Sequence, residues 1–230
     1  MLPTPRPPFS AILLDLDGTI TDSAPGITDT LAYTFEQLGM PVPEYEQLLR
    51  WVGPPIMDSF RDLAGMDAAT ADRALAIYRE RYLDRGAYDA TLFDGMGTLV
   101  QQIAAAGIPL SLATSKPELP ATLMLEHFTI AQCFTVITGA SADETRSEKA
   151  DVVEEALRRL RELDVPLDNV VMVGDRIHDI EGAAAHGVPT IAVTWGYGSD
   201  AEHAEAALVA SSTDELRSLL GLPAKARPAA

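Results

Sequence analysis

The sequence predicts an α/β protein in which a small helical insert interrupts a doubly wound parallel sheet. Residues 11–14 are a short apolar run, typical of a strand buried on both faces, and two aspartates end it. Residues 22–90 show only helical spacing of apolar side chains. From residue 91 onward, helical patterns alternate with short apolar runs, an alternation typical of a parallel sheet covered by helices on both faces.

The insert divides the chain into predicted domains. A helix start at residues 22–25, with Pro25 in the first turn, opens a helix that Gly39 ends. Further helical runs follow at residues 44–51, at 55–63 and from 71 to about 85. We therefore expect a cap at residues 22–90 and a core at residues 9–21 and 91–221. The proline-rich residues 1–8 and residues 222–230 are expected to be flexible tails.

The second part of the chain supplies the other strands and helices of the predicted core. Apolar runs predict strands at residues 108–113, 134–138, 170–173 and 190–194, and no strand in the insert. Helices are predicted around residues 99–103 and at 117–127, 149–163 and 179–186. Ser212 and Glu215 fit a capping box at the start of a last helix.

Composition excludes some partners. The formal net charge of −17 argues against nucleic acid or an anionic membrane as a partner. The single cysteine, Cys133, allows no internal disulfide and fits a reducing compartment. Asp15 and Asp17 interrupt the first apolar stretch too early for a signal peptide or a membrane span. These features predict a cytoplasmic protein.

The acidic pair at the end of the first strand is the first candidate site. Two carboxylates at the mouth of a buried strand repel each other and lose hydration, so they are costly unless a cation lies between them. Gly18 lets the chain turn there and leaves Asp15 and Asp17 at the edge of the sheet where open α/β sheets bind ligands. An ordinary Asp-Gly turn is the alternative interpretation of these residues alone.

Polar residues follow two later segments. Thr114 and Ser115 end a predicted strand, where they form either an anion site or the cap of the next helix. Lys149 begins the long helix, where a cation opposes the helix dipole; it has either a functional role or the ordinary role of a solvated charge.

Residues 170–179 repeat the pattern of the first strand. A buried run ends in Gly174 and Asp175, and Asp175 has no evident structural role. Asp179 has one alternative, as the N-cap of the following helix. His178 lacks nearby His or Cys partners and is predicted to be a loop residue, not a zinc ligand. The run at 196–201 formally matches a dinucleotide-binding fingerprint, but its late position and the lack of a strand-ending acid after it argue against NAD.

These motifs together resemble those of the haloacid dehalogenase-like hydrolases. The resemblance rests on Asp15-Leu16-Asp17-Gly18-Thr19, then Thr114, Lys149, and Gly174-Asp175 with Asp179, in that order, and it covers residues 9–212. The nearest likeness is to phosphoglycolate phosphatase-like members. The resemblance implies a Rossmann-like core and identifies the insert as a helical cap.

The resemblance also implies roles for the acids. Asp15 would be the nucleophile that forms an aspartyl-phosphate, and Asp17 would be the general acid and base. Mg²⁺ would be held by the carboxylates of Asp15 and Asp175 and by the backbone carbonyl of Asp17, with Asp179 close to the metal.

The remaining implied roles concern substrate binding. Thr114, Ser115 and Lys149 would bind the phosphoryl oxygens. This chain has Ala150 after the lysine where many relatives have proline, which makes the backbone setting of Lys149 less certain. In the cap, Arg50 and Trp51 precede a Gly-Pro-Pro break, and we expect Arg50 to select the substrate; alternatively Trp51 is cap core and Arg50 extends into solvent.

The predicted function is Mg²⁺-dependent hydrolysis of a small phosphomonoester metabolite, phosphoglycolate-like in character. A dehalogenase would not need the acid Asp17, and the insert lacks the cap lysine of a phosphonate-cleaving relative. A sugar phosphomutase, a nucleotide phosphatase and a non-catalytic binding protein on the same scaffold remain alternatives. The oligomeric state is left open.

Overall fold

A computed structural model describes residues 2–143 and 145–224. The described residues form eight strands: β1 (Ala11–Leu14), β2 (Thr21–Asp22), β3 (Thr91–Leu92), β4 (Leu110–Pro117), β5 (Val136–Ala140), β6 (Val170–Gly174), β7 (Thr190–Val193) and β8 (Leu208–Ala210). Six of these strands form one sheet in the order β5-β4-β1-β6-β7-β8. Every pair of neighbours in it is parallel, which confirms the predicted sheet.

Ten α-helical segments accompany the strands: α1 (Ala24–Gln37), α2 (Tyr45–Leu48), α3 (Ile56–Asp58), α4 (Ala68–Asp84), α5 (Met96–Ala105), α6 (Glu118–His127), α7 (Lys149–Glu162), α8 (Ile177–Ala184), α9 (Asp200–His203) and α10 (Thr213–Leu219). Short 3-10 turns follow α2 and α4, and a π-helical turn at Ser59–Leu63 continues α3. The helical runs predicted in the insert correspond to α1, to α2 with its turn, to α3 with its turn, and to α4.

The sheet is buried on both faces because its apolar residues point alternately to each side. On one face Ile12 and Leu14 belong to a large apolar cluster that continues into the insert. On the other face Ala11 and Leu13 pack with apolar residues of α7, such as Val153. This two-sided burial is typical of a doubly wound sheet, and it explains why residues 11–14 show no alternation with polar residues.

The order of the strands places a switch point at β1. After β1 the chain adds β4 and β5 on one side, and it then crosses to add β6, β7 and β8 on the other. Ligands of open α/β sheets bind outside the carboxyl ends of the strands at such a point. The carboxyl end of β1 is therefore the place in this fold where a site is expected.

A second, two-stranded sheet flanks the helical insert. β2 pairs antiparallel with β3, through Thr21 with Leu92 and Asp22 with Thr91, and α1 to α4 lie between these two strands in the chain. No strand was predicted here, because two-residue strands are too short to show a periodic pattern. Strand β8 was not predicted either, because its three residues give the same weak signal.

Parts of both predicted tails contact the core. Side-chain Nδ2 of Asn169 donates hydrogen bonds to the carbonyl oxygens of Arg6 (2.9 Å) and Pro8 (2.6 Å), and Leu222 is buried. Residue 1 and residues 225–230, which the predicted tails include, lie outside the described residues. The domain limits and the flexibility of the tails stay predictions.

Within the described part of the chain, no helix has both the length and the apolar character needed to cross a bilayer.

Candidate active site

The carboxyl ends of three neighbouring strands bring the predicted site residues together. Asp15 follows β1, Thr114 lies late in β4, and Asp175 follows β6. Lys149 is the first residue of α7, which packs against β4 and β5. All four side chains are buried, so the site is held inside the protein and not on a solvated rim.

Lys149 is the central cation of the site. Its Nζ lies 2.6 Å from Oδ1 of Asp15 and 2.7 Å from Oδ1 of Asp179, and it donates to the carbonyl oxygen of Ala113 at 3.1 Å. Burial alone would lower the pKa of this lysine, but Asp15 and Asp179 raise it above its ordinary value. Lys149 is thus a buried charge paired with two carboxylates, which excludes the alternative of a solvated charge.

The groups around Asp15 shift its pKa in opposite directions. Burial raises the pKa of the Asp15 carboxyl to about 6, Lys149 opposes that shift, and Asp179 and Asp17 add to it. A carboxylate that is buried and short of positive charge favours the approach of a cation.

Asp175 is held tightly in a pocket of backbone. It accepts a hydrogen bond from the backbone N–H of Tyr197 at 2.7 Å and one from Thr19 Oγ1 at 3.4 Å. A Cβ atom on Gly18, whose φ is +84°, or on Gly196 would lie 2.3 Å from Oδ2 of Asp175. These glycines are required because the chain passes so close to the carboxylate. The close approach also explains why residue 196, which is part of the apparent dinucleotide fingerprint, is a glycine.

Asp179 has a different place from the one its N-cap alternative assumed. Helix α8 begins at Ile177, so Asp179 lies in its first turn and accepts from the backbone N–H of Arg176 at 3.0 Å. Its Oδ1 lies 2.7 Å from Nζ of Lys149, its ion-pair partner. His178 lies in the same helix; the prediction of a loop residue was wrong because α8 begins two residues earlier than expected.

The three acids fit a divalent cation. Oxygen atoms of Asp15, Asp175 and Asp179 lie within 4.8 Å of one another, and Lys149 supplies one positive charge against their three negative ones. Burial, together with Asp179 and Asp15, raises the pKa of Asp175 well above its ordinary value. Three buried oxygen donors with excess negative charge suit a hard cation such as Mg²⁺.

Asp17 is directed away from this cluster, although it lies only two residues from Asp15. Its Oδ1 accepts from Ser23 Oγ at 2.5 Å, and its Oδ2 lies 2.9 Å from Nζ of Lys116. Lys116 in turn donates to the hydroxyl of Tyr82, on cap helix α4, at 2.8 Å. Lys116, Tyr82 and Ser23 were missed by sequence reasoning. Only Lys116 had a signal, because it follows Thr114 and Ser115 at the same strand end.

Thr114 and Ser115 do not cap the next helix, because α6 begins at Glu118 with Pro117 as its N-cap. The hydroxyl of Thr114 accepts from the backbone N–H of Lys116 at 3.3 Å. Ser115 lines both of the cavities described next.

Two cavities meet at Ser115 beneath cap residues Pro54 and Pro55. The first, here called the apolar pocket, reaches Asp17 and Lys116 and is otherwise lined largely by apolar and aromatic side chains, including Ile27, Trp51, Tyr78, Tyr82, Leu83 and Leu119. The second, here called the polar pocket, reaches Lys149 and is lined by charged and hydroxyl side chains, including Arg50, Asp58, Ser59, Glu148, Arg176 and His178.

Arg50 and Trp51, the two cap residues singled out in the sequence, line different pockets. Trp51 is buried and packs edge-on against Phe35 and Phe60, so it is cap core, and it also lines the apolar pocket. Arg50 is exposed and lines the polar pocket together with Lys149.

Comparison with known proteins places these motifs in a family. The family model described as haloacid dehalogenase-like hydrolase matches residues 12–193. The chain is 43% identical over 215 residues to tyrosine-protein kinase PtkA of Mycobacterium tuberculosis, covering 92% of this chain and 72% of that protein. It is 38% identical over 195 residues to a 5'-nucleotidase of Pseudomonas aeruginosa, covering 84% and 86%.

A solved structure supports the same family assignment. The crystal structure of a predicted phosphatase from Clostridium acetobutylicum superposes with a TM-score of 0.86 at 36% identity, covering 93% of this chain and 99% of that one. The predicted family resemblance is therefore confirmed. By its motifs, its fold and these relatives, the chain belongs to the haloacid dehalogenase-like hydrolases and falls among their phosphatases.

Proposed function

We propose that this protein is a Mg²⁺-dependent phosphatase that hydrolyses a small phosphomonoester through a phosphorylated Asp15. The observation that carries the proposal is the contrast between two acids of one loop. Asp15 lies in the cluster of carboxylates around Lys149, whereas Asp17 lies outside it, beside the apolar pocket. This contrast supports a division of roles in which Asp15 attacks phosphorus and Asp17 transfers the proton.

The first step of the proposed reaction is attack by Asp15. A carboxylate oxygen forms a bond to phosphorus as the bond to the leaving oxygen breaks. Lys149 offsets the repulsion between the Asp15 carboxylate and the phosphate dianion, and with Thr114 and Ser115 it would bind the phosphoryl oxygens. Bound Mg²⁺, held by Asp15, Asp175, Asp179 and the backbone carbonyl of Asp17, would neutralise further charge on the phosphoryl group.

Asp17 would serve both halves of the reaction. It would donate its proton to the leaving oxygen as the first bond breaks. It would then take a proton from the water that attacks the aspartyl-phosphate, which releases inorganic phosphate and restores Asp15. Its position beside the apolar pocket supports this role, because a leaving group in that pocket would have its oxygen next to the acid.

Release of inorganic phosphate from a panel of phosphomonoesters tests the proposal. The panel should contain 2-phosphoglycolate, the substrate type expected from the sequence, with nucleoside monophosphates and sugar phosphates. We expect turnover with Mg²⁺, and acid-stable, hydroxylamine-sensitive labelling of the protein that Asp15→Asn abolishes. An isomerised product without phosphate release would indicate a phosphomutase, and no reaction with any ester would indicate a binding protein.

The kinase relative favours one further candidate, transfer of a phosphoryl group to tyrosine. The 43% identity to a tyrosine-protein kinase is the observation behind it. The two functions differ in the acceptor, which is water for a phosphatase and a phenol for a kinase. Incubation with γ-labelled ATP and a tyrosine-containing polypeptide separates them, since only a kinase yields alkali-stable label on tyrosine.

We also propose that residues 22–90 act as a cap over a core of residues 9–21 and 91–221, and that the protein works in the cytoplasm. The enclosure of both pockets between Pro54 and Pro55 of the insert and Ser115 of the core supports the first statement. The single cysteine supports the second. Fractionation of cells that express the chain, with a cytoplasmic marker enzyme, tests the location.

A further inference from the structure

We propose that the leaving group of the substrate carries an apolar six-membered ring, which occupies the apolar pocket between the cap and the core. This inference rests on the proposed phosphatase function and specifies its substrate class. A small, charged acid such as glycolate would then fit this pocket poorly, in contrast to the substrate type expected from the sequence.

The position of the two pockets fixes which part of the substrate each one takes. The phosphoryl group must lie within reach of both Asp15, which attacks it, and Lys149, which lines the polar pocket. The leaving oxygen must lie at the proton donor, and Asp17 lines the apolar pocket. Ser115, which borders both, lies where the two parts of the ester are joined. The body of the leaving group therefore extends into the apolar pocket.

The lining of this pocket favours an apolar group. Tyr78 and Tyr82 stack with nearly parallel rings, 5.4 Å apart, and Trp51 and Ile27 supply further apolar surface. Burying apolar surface of a ligand here gains roughly 25 cal/mol for each Å² removed from water. A group with a second charge would instead lose its hydration without a matching gain.

The cations of the pocket are already engaged. Lys116 is paired with Asp17 at 2.9 Å, bonded to Tyr82 at 2.8 Å, and lies 4.5 Å from the centre of the Tyr82 ring. Arg79, half-buried at the pocket wall, has an interaction of its own. A carboxylate of the leaving group would have to compete with Asp17 for Lys116.

The size of the pocket points to one ring. Its volume is about 190 Å³, and an apolar protein cavity of roughly 150 Å³ is sufficient for benzene. Two leucines, Leu83 on α4 and Leu119 on α6, are exposed at its mouth, at 37% and 61%. They extend the apolar surface outward, so a ring can be followed by a longer substituent.

Binding of unreactive phosphonates to the full chain with Mg²⁺ tests the inference without turnover. Calorimetry should compare benzylphosphonate with methylphosphonate and with phosphonoacetate, which replaces the ring by a carboxylate. We expect benzylphosphonate to bind at least tenfold more tightly than either of the others. Equal affinities, or tighter binding of phosphonoacetate, would overturn the inference.

Hydrolysis provides the second arm. Benzyl phosphate and ethyl phosphate both release a poor leaving group, so a ratio of kcat/KM of ten or more in favour of the benzyl ester reports the ring and not the chemistry. Cyclohexylmethyl phosphate, whose leaving group is equally poor, then distinguishes a saturated ring from an aromatic one. If no ester is hydrolysed, the proposed function fails, whereas the phosphonate affinities still decide the inference.

Exposed leucines allow variants that should fold normally. Leu83→Ser and Leu119→Ser are each expected to reduce the preference for the benzyl over the ethyl ester two- to fivefold. Leu163→Ser is the matched control, because Leu163 is 55% exposed and follows α7 away from the pocket. An unchanged preference in both mouth variants, or an equal loss in the control, would count against the pocket as the site of the ring.

Discussion

Asp15 and Asp17 come from one loop, yet they lie in two different environments. Asp15 faces the helices of the core, where it shares Lys149 with Asp179 and lies near Asp175. Asp17 faces the cap and is held by Ser23 and Lys116. Three carboxylates concentrate negative charge around Asp15, whereas Lys116 balances the charge of Asp17. The comparison teaches that surroundings, and not residue type, divide the proposed roles between the two acids.

Removal of the metal tests the environment of Asp15 and should have a large effect on every ester. Asp175→Asn is expected to lower kcat on the order of 10³-fold, because charge neutralisation by a metal supplies several kcal/mol to such a reaction. Mg²⁺ should raise the melting temperature of the wild type and not that of the variant. Asp84→Asn, in an exposed part of α4, is the control. Full turnover in excess chelator would contradict the metal site.

Replacement of Asp17 tests the other environment through the identity of the leaving group. An alkoxide needs a proton as it leaves, whereas nitrophenolate does not. Asp17→Asn should therefore slow the first step by on the order of 10²–10⁴ for alkyl esters and much less for p-nitrophenyl phosphate. Hydrolysis of the phosphorylated Asp15 should be impaired for both esters.

A rapid-mixing experiment measures both steps of that variant. With p-nitrophenyl phosphate we expect a stoichiometric burst of nitrophenolate, then slow turnover with phosphate retained on the protein. If the first step slows equally for both kinds of ester while the fold and metal affinity are unchanged, Asp17 is not the acid.

Removing the contact between Lys116, the ion-pair partner of Asp17, and Tyr82 of the cap should have a smaller effect. Tyr82→Phe removes the hydroxyl that accepts from Lys116, a bond worth about 0.5–1.5 kcal/mol, so we expect kcat for alkyl esters to fall about two- to tenfold. Tyr78→Phe is matched, because its ring stacks on Tyr82 in the same pocket. The two variants should differ in kcat; equal values would mean that the contact of Tyr82 with Lys116 does not support the acid.

The smallest effect is expected at Arg176, a core side chain that contacts the cap. Arg176 donates to the carbonyl oxygen of Val52 at 2.7 Å and is paired with Glu202 at 3.1 Å. Burial would raise the pKa of Glu202, but N–H groups of Ser199 and Ile177 and the Arg176 guanidinium lower it to about 2. Because the folded value lies below the unfolded one, the stabilisation is present above pH 4.5 and is lost as the pH falls toward 2.

Glu202→Gln should thus lower the free energy of unfolding at pH 7 by about 1 kcal/mol or less, as measured with urea. The difference from the wild type should shrink as the pH falls from 4.5 and disappear only below pH 2. A difference that grows on acidification would contradict the sign of this pKa shift.

The two environments also differ in how far they could be predicted. Asp15, Asp175 and Lys149 stand out because polar residues directly after buried strands, or a cation at a helix start, need an explanation that the local sequence does not offer. Parallel strands then bring such residues to one edge, so the sheet alone gathers them. The fold class was predictable for the same reason, since buried strands and long helices give strong patterns.

The side of Asp17 was less predictable because its partners are distant in the chain and ordinary in their local setting. Tyr82 lies at helical spacing among the apolar residues of α4, where a core position is the natural interpretation. Ser23 follows a two-residue strand that leaves no periodic signal. Lys116 was within reach, but a lysine near a helix start is usually solvated, and nothing local indicates that it is buried.

The hydrogen bond from Ser23 to Asp17 has a mechanical consequence. Ser23 directly follows β2, one of the two short strands that join the helical insert to the sheet, and Lys116 connects the same carboxylate to α4. The position of the Asp17 carboxyl group is therefore tied to the insert, directly through Ser23 and indirectly through Lys116 and Tyr82. A movement of the insert about these strands would change the surroundings of both oxygens of Asp17.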